Sequence, residues 1–198
     1  MSMMMRLIRT SLSLMLCLLI ATTALAQSDN GPVIDTEGHP LEAGKDYYIT
    51  PAITDVGGRA TIVDNGTCPL FVGQENSDAE KGIAVFFTPF AKEDDVVRVN
   101  RDLQVQFSAA TLCLQGTGWT LTERDGESGR RLIVAGGTGS YFRIGETQTK
   151  GVYNIGWCPT DVCPLCKFDC GTVGALQQNG NIFLALDGNA LPVVFEKA

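Results

Sequence analysis

Runs of β-branched and aromatic residues, each a few residues long and closed off by Gly, Asn, Asp or Pro, recur along almost the whole chain. The first half carries Tyr47 to Ile53, Ala60 to Val63, Leu70 to Gly73, Ile83 to Phe87, Val96 to Val99 and Leu103 to Phe107. The second half carries Trp119 to Leu121, Arg131 to Val134, Tyr141 to Ile144, Val152 to Trp157, Ile182 to Leu186 and Pro192 to Phe195. About a dozen short strands separated by turns predict an all-β barrel or sandwich, because no stretch is left for a sustained helical period. In Leu103-Gln104-Val105-Gln106-Phe107 apolar residues and amides alternate, as a strand with one buried face requires. Many of the 22 glycines sit in turn dipeptides such as Asn65-Gly66, Asp125-Gly126, Asn179-Gly180 and Asp187-Gly188, where a positive φ is needed. The strands divide into three groups of four, roughly 32 to 87, 88 to 146 and 147 to 198, with too little identity between groups to establish a repeat.

Ahead of these runs, Arg6 and Arg9 precede an apolar stretch that ends in Ala24-Leu25-Ala26. This pattern predicts a signal peptide over residues 1–26 and an exported protein, with the cell exterior or the vacuole as destination. Removing it from the 198 residues leaves 172, enough for one domain over residues 27–198. The two arginines leave with it, so the net charge of −7 becomes −9. Such an acidic surface lacks the counter-charge that draws a protein to nucleic acid or anionic membrane. Cys17 leaves as well, and Cys68, Cys113, Cys158, Cys163, Cys166 and Cys170 remain. An even count in an exported chain predicts disulfides, with the pairing left open by sequence. Zinc is the alternative for the cluster from Cys158 to Cys170, but a Cys-x-x-Cys pair occurs there only once and export favours oxidation. Asn65-Gly66-Thr67 is a glycosylation sequon, which makes Asn65 the expected carrier of a glycan.

Catalytic constellations are not found. The sole histidine, His39, lies in the turn Gly38-His39-Pro40 and reads as a solvated residue, not the base of a nucleophilic site. Glu93, Asp94 and Asp95 are adjacent in one loop, which does not set two carboxyls across a cleft. Gly136-Gly137-Thr138-Gly139 precedes a strand instead of opening a helix, so it reads as a turn and not a phosphate cradle. No enzyme activity, metal or cofactor is expected.

The segment Val33-Ile34-Asp35-Thr36-Glu37-Gly38-His39-Pro40-Leu41, followed by Tyr47-Tyr48-Ile49, resembles the amino-terminal signature of the plant Kunitz protease inhibitors of the soybean trypsin inhibitor type. Cys68-Pro69, Val96-Val97-Arg98-Val99, Asp102 to Ser108, Tyr141-Phe142-Arg143-Ile144, Trp157-Cys158-Pro159-Thr160, Cys170-Gly171-Thr172-Val173-Gly174 and Leu191-Pro192-Val193-Val194-Phe195 follow in family order. The likeness is strongest to the miraculin-like branch. It implies a disulfide-stabilised β-trefoil, a six-stranded barrel capped by three hairpins. It also implies the pairs Cys68 with Cys113, Cys158 with Cys170 and Cys163 with Cys166. The first closes the longest loop and by chain entropy contributes about 4 kcal/mol, against roughly 2 to 3 for each of the others.

The resemblance further implies a monomeric inhibitor of an extracellular or digestive protease, serine type by default, acting through a preformed, substrate-like loop around residues 88–95. Its residues are Pro89, Phe90, Ala91, Lys92 and Glu93. Alignment on Pro89 sets Ala91 at the specificity position, and a slip of one residue sets Lys92 there. Lys92 suits a trypsin-like pocket with its buried Asp; it also reads as an exposed lysine among the neighbouring acids. Ala43 stands where inhibitory relatives carry an Asn that braces the loop, so a looser loop is expected. The alternatives on the same scaffold are a non-inhibitory miraculin-like binding or defence protein, and an inhibitor of cysteine or aspartic proteases.

Overall fold

The computed structural model describes residues 30–198 except 65, 112, 114 and 115. The expected signal peptide over residues 1–26 and the expected glycan carrier Asn65 therefore lie outside the described residues. Among the described residues the regular elements are thirteen strands: β1 (Asp46–Pro51), β2 (Ala60–Val63), β3 (Leu70–Gln74), β4 (Val85–Pro89), β5 (Leu103–Phe107), β6 (Trp119–Arg124) and β7 (Arg131–Ala135), then β8 (Tyr141–Glu146), β9 (Tyr153–Trp157), β10 (Gly171–Gln178), β11 (Asn181–Leu186), β12 (Asn189–Ala190) and β13 (Val193–Lys197).

Six of them form a closed antiparallel ring, β1 to β4 to β5 to β8 to β9 to β13 and back to β1. Closure removes every free edge from this sheet. Each ring strand alternates: Tyr47 and Ile49, Val85 and Phe87, Leu103, Val105 and Phe107, Phe142 and Ile144, Tyr153 and Ile155, and Val193 and Phe195 are buried, while the residues between them are not. The inward set fills the barrel. Phe87 meets Phe195 edge-on at 5.5 Å between ring centroids, and Trp119 meets Phe142 in the same way at 6.1 Å.

The hairpins β2–β3, β6–β7 and β10–β11 cap the ring, and β3, β7 and β11 pair with one another in a closed triangle. Barrel strand, hairpin, barrel strand is thus repeated three times, and the architecture is a β-trefoil. Two buried tyrosines fasten the leading segment across the barrel: Tyr153 accepts a hydrogen bond from the Ile34 amide and Tyr47 from the Glu42 amide, both at 2.9 Å. A phenylalanine at either place would leave a backbone donor unpaired.

Two departures from the sequence expectation have local causes. Val96 to Val99 is extended and buries Val97 and Val99, yet it is not a strand of a sheet. Its backbone pairs are split between Gly31, Val33 and Leu41, so no single partner runs alongside it. Conversely β10 has a weak β signature, Gly-Thr-Val-Gly-Ala-Leu-Gln-Gln. Gly174 accounts for part of this: a Cβ there would lie 2.4 Å from the Asn189 carbonyl oxygen, where β12 crosses it.

Candidate functional site

The connection between β4 and β5 holds the predicted loop, and its two ends are anchored independently. At the outgoing end the Phe90 amide donates to the Asp102 carbonyl at 2.8 Å, and the Gly44 amide donates to the Phe87 carbonyl at 2.9 Å. At the returning end the Ala43 amide donates to the Asp95 carbonyl at 2.9 Å, and the Val97 amide to the Leu41 carbonyl at 2.8 Å. Residues 43 and 44 therefore bind both ends of the loop through their backbone. Ala43 has no side-chain amide to add, so residue 43 braces the loop through its main chain alone.

Between these anchors the loop turns back on itself. The Asp94 amide donates to the Ala91 carbonyl at 3.1 Å, which makes Lys92 and Glu93 the central residues of a β-turn. Lys92 and Glu93 are exposed, Ala91 is half-buried, and Pro89 closes β4. Of the acids that follow, Asp94 lies 3.5 Å from Arg98, whereas Asp95 is exposed. Phe90 packs its ring edge-on against Tyr141 at 5.5 Å and stays 41% exposed.

A second segment faces this loop. An open groove of about 730 Å³ has Phe90 to Glu93 on one side, Thr160, Asp161 and Pro164 on the other, and Arg101 between them. Among the described residues disulfides join Cys68 to Cys113, Cys158 to Cys170 and Cys163 to Cys166, and the last two enclose the second segment.

Both sides of the groove are fixed to one buried residue that sequence reasoning passed over. The Asp102 carboxylate accepts hydrogen bonds from Arg143 Nε at 2.5 Å and from the Asp161 and Val162 amides at 2.7 and 2.9 Å. The Asp161 carboxylate in turn accepts from Arg101 Nε at 2.8 Å, from the Asp102 amide at 3.0 Å and from Arg143 at 3.1 Å. The signal available in the sequence was faint: an acid directly ahead of the apolar run of β5, and an arginine between two apolar residues of β8.

Burial pushes the Asp161 carboxyl upward, but the Asp102 amide and the two arginines outweigh it and hold the group below its ordinary 3.8. A depressed carboxyl contributes stability that is present above the ordinary value and is lost as pH falls through the depressed one. Folding stability is therefore expected to drop on acidification below pH 3.8, more steeply than in Asp161→Asn. Urea unfolding across the acid range measures this, and parallel acid limbs for the two proteins would refute it.

The other groups singled out from the sequence lie apart from the groove. His39 is exposed, with Nδ1 3.5 Å from Glu37, in a turn where the Asp35 carboxylate caps the Glu37 and His39 amides. Gly136 to Gly139 is the turn between β7 and β8.

A closed barrel with a three-hairpin cap, pinned by disulfides and carrying a loop anchored at both ends, defines a loop-bearing β-trefoil. The chain belongs to the legume Kunitz family, whose model, described as trypsin and protease inhibitor, matches residues 33–197. It is 56% identical over 189 residues to Kunitz type trypsin inhibitor 104 of Medicago truncatula, covering 91% of this chain and 92% of that protein. It is 35% identical to miraculin of Synsepalum dulcificum over 87% of this chain and 86% of miraculin. The structure of the rice bifunctional alpha-amylase/subtilisin inhibitor superposes with a TM-score of 0.69 at 35% identity, covering 85% of this chain and 99% of that one.

Proposed function

We propose that the protein is an exported, monomeric inhibitor of serine endopeptidases that works through the loop at residues 88–95, with Lys92 entering the enzyme's specificity pocket. The observation that carries this reading is the loop's construction on a chain 56% identical to a protein named a trypsin inhibitor: an exposed Lys92 held between two hydrogen-bonded anchors. Anchors at both ends reduce the freedom that must be lost on docking, and after cleavage they would keep the new termini together for religation. Ala91 supports the reading less well, being half-buried with its carbonyl engaged by the Asp94 amide.

The turn across Ala91 to Asp94 bears on the strength of inhibition. A protease reads its substrate extended, so seating Lys92 opens one exposed hydrogen bond, a cost of about 1 kcal/mol. That same turn is the observation in favour of the second reading, a non-inhibitory binding or defence protein on the same scaffold. The two are separated by incubating the purified protein with trypsin, chymotrypsin, subtilisin, and cysteine and aspartic endopeptidases. Inhibition of trypsin is expected, with Lys92→Ala raising Ki about 100-fold, the loss typical of a central anchor residue. If micromolar protein slows no protease of any class, the inhibitory reading fails.

A further inference from the structure

We propose that the cystine knuckle from Val162 to Leu165 is a second contact surface for the same protease that takes the β4–β5 loop, resting against an apolar patch beside the enzyme's cleft. The proposal rests on the inhibitory reading above and extends it by naming residues outside the loop that grip the enzyme.

Exposure gives the first argument. Among the described residues the exposed large apolar side chains are Ile53, Phe90, Val162 and Leu165. Phe90 lines the groove, and Val162 and Leu165 belong to the segment that forms its opposite side, so three of the four cluster there. Leu165 is 96% exposed, beside the groove-lining Pro164. A single exposed leucine needs no explanation, but apolar groups gathered around one groove mark a contact surface.

Rigidity gives the second. Pro164 and Leu165 are the central residues of a turn in which the Cys166 amide donates to the Cys163 carbonyl at 3.1 Å, and the Cys163–Cys166 disulfide closes the same turn. The Cys158–Cys170 disulfide closes the surrounding loop, and the Asp161 and Val162 amides are pinned by Asp102. A leucine carried on such a support loses little freedom on being covered.

The two surfaces are also held in fixed relation. Asp102 accepts from the Phe90 amide through its carbonyl and from the Asp161 and Val162 amides through its carboxylate. One residue therefore ties loop and knuckle together, and an enzyme docked on Lys92 lies beside Leu165. A stable interface buries about 800 Å² on each partner, more than a loop tip supplies alone. The charge around the groove defines the partner's chemistry. Arg101 and Asp161 are paired with each other, whereas Glu93 and Asp95 are exposed on the loop of a chain whose net charge is −7. The complementary surface is an apolar patch rimmed by basic side chains.

Leu165→Ala, Leu165→Asp and Lys92→Ala are compared with the wild type as inhibitors of trypsin, chymotrypsin and subtilisin, each protein first matched for thermal midpoint. Because Leu165 is almost wholly exposed, its variants are expected to melt with the wild type, which leaves inhibition as the readout. Leu165→Ala should raise Ki about tenfold and Leu165→Asp about 100-fold for the protease that Lys92 serves. Unchanged Ki in both Leu165 variants, with Lys92→Ala still impaired, removes the knuckle from the interface and leaves the inhibitory reading intact. No inhibition by the wild type overturns both. A wild-type dimer in sedimentation that Leu165→Asp dissociates, with Ki unaltered, assigns the patch to a second copy of this chain and overturns the proposal as well.

Discussion

Asp102→Ala is expected to destabilise the folded protein by about 3 kcal/mol, the lower end of the range for breaking a buried ion pair. The Asp102 carboxylate is fully buried and makes three charge-assisted hydrogen bonds, to Arg143 and to the Asp161 and Val162 amides. Removing it leaves two amide donors and a largely covered guanidinium without their acceptor, and unmade bonds of buried groups cost more than made ones contribute. Arg143 keeps its 3.1 Å contact with Asp161, which is why the lower end of the range applies. For a protein of this length the loss corresponds to a fall in Tm of about 6–12 °C. Asp102→Asn keeps an oxygen for the amides but loses the charge that faces Arg143, so it should fall between wild type and Asp102→Ala. Differential scanning calorimetry of the three proteins decides the matter, and a Tm for Asp102→Ala within about 2 °C of wild type would sink the assignment.

The consequence of Asp102 for the surface is that loop and knuckle are not independent decorations of the barrel. In a β-trefoil the barrel fixes where connections leave, but a connection of the length of Phe90 to Asp102 is not held by the barrel alone. Here the outgoing end is fastened to residue 102 and the returning end to residues 41 and 43, so the tip is carried between two parts of the frame.

The parts of this arrangement that could be read from sequence are those governed by local periods. The alternation in Leu103 to Phe107 reports the barrel face directly, because neighbouring side chains must point to opposite faces and only one face is dry. The closure of the ring was not legible in that way. It depends on β13 pairing with both β1 and β9, and no local pattern encodes which distant strands meet; the trefoil entered through resemblance to a family. The same limit hid the Asp102 network, whose partners lie 41 and 59 residues away along the chain. Pro89 located the loop, yet the turn at Ala91 to Asp94 is set by a weak local hydrogen bond that Ala-Lys-Glu-Asp does not advertise. Strand β10 was missed because Gly174 is there to admit β12, not to satisfy a β propensity.

Removing the disulfides one at a time should expose how chain entropy and the Asp102 network divide the work. Cys68→Ala with Cys113→Ala opens a loop of sequence separation 45 and is expected to cost about 4 kcal/mol. The bridge joins the lead-in to β3 with the segment between β5 and β6, so it ties the first structural repeat to the second. Cys163→Ala with Cys166→Ala opens a separation of only 3 and should cost about 2 kcal/mol, the smallest of the three. The Cys158–Cys170 pair, at separation 12, falls between them on entropy, at about 3 kcal/mol. Its loop, however, carries the Asp161 and Val162 amides to Asp102, and a loop freed at its base holds them there less firmly. The loss of this bridge and Asp102→Ala should therefore be less than additive, by about 1 kcal/mol in a double-mutant cycle, whereas loss of Cys68–Cys113 and Asp102→Ala should add. Urea unfolding of the single and combined variants supplies both comparisons. Additivity at Cys158–Cys170 would mean that the loop finds Asp102 without its disulfide, and the account of the pinned knuckle would have to be abandoned.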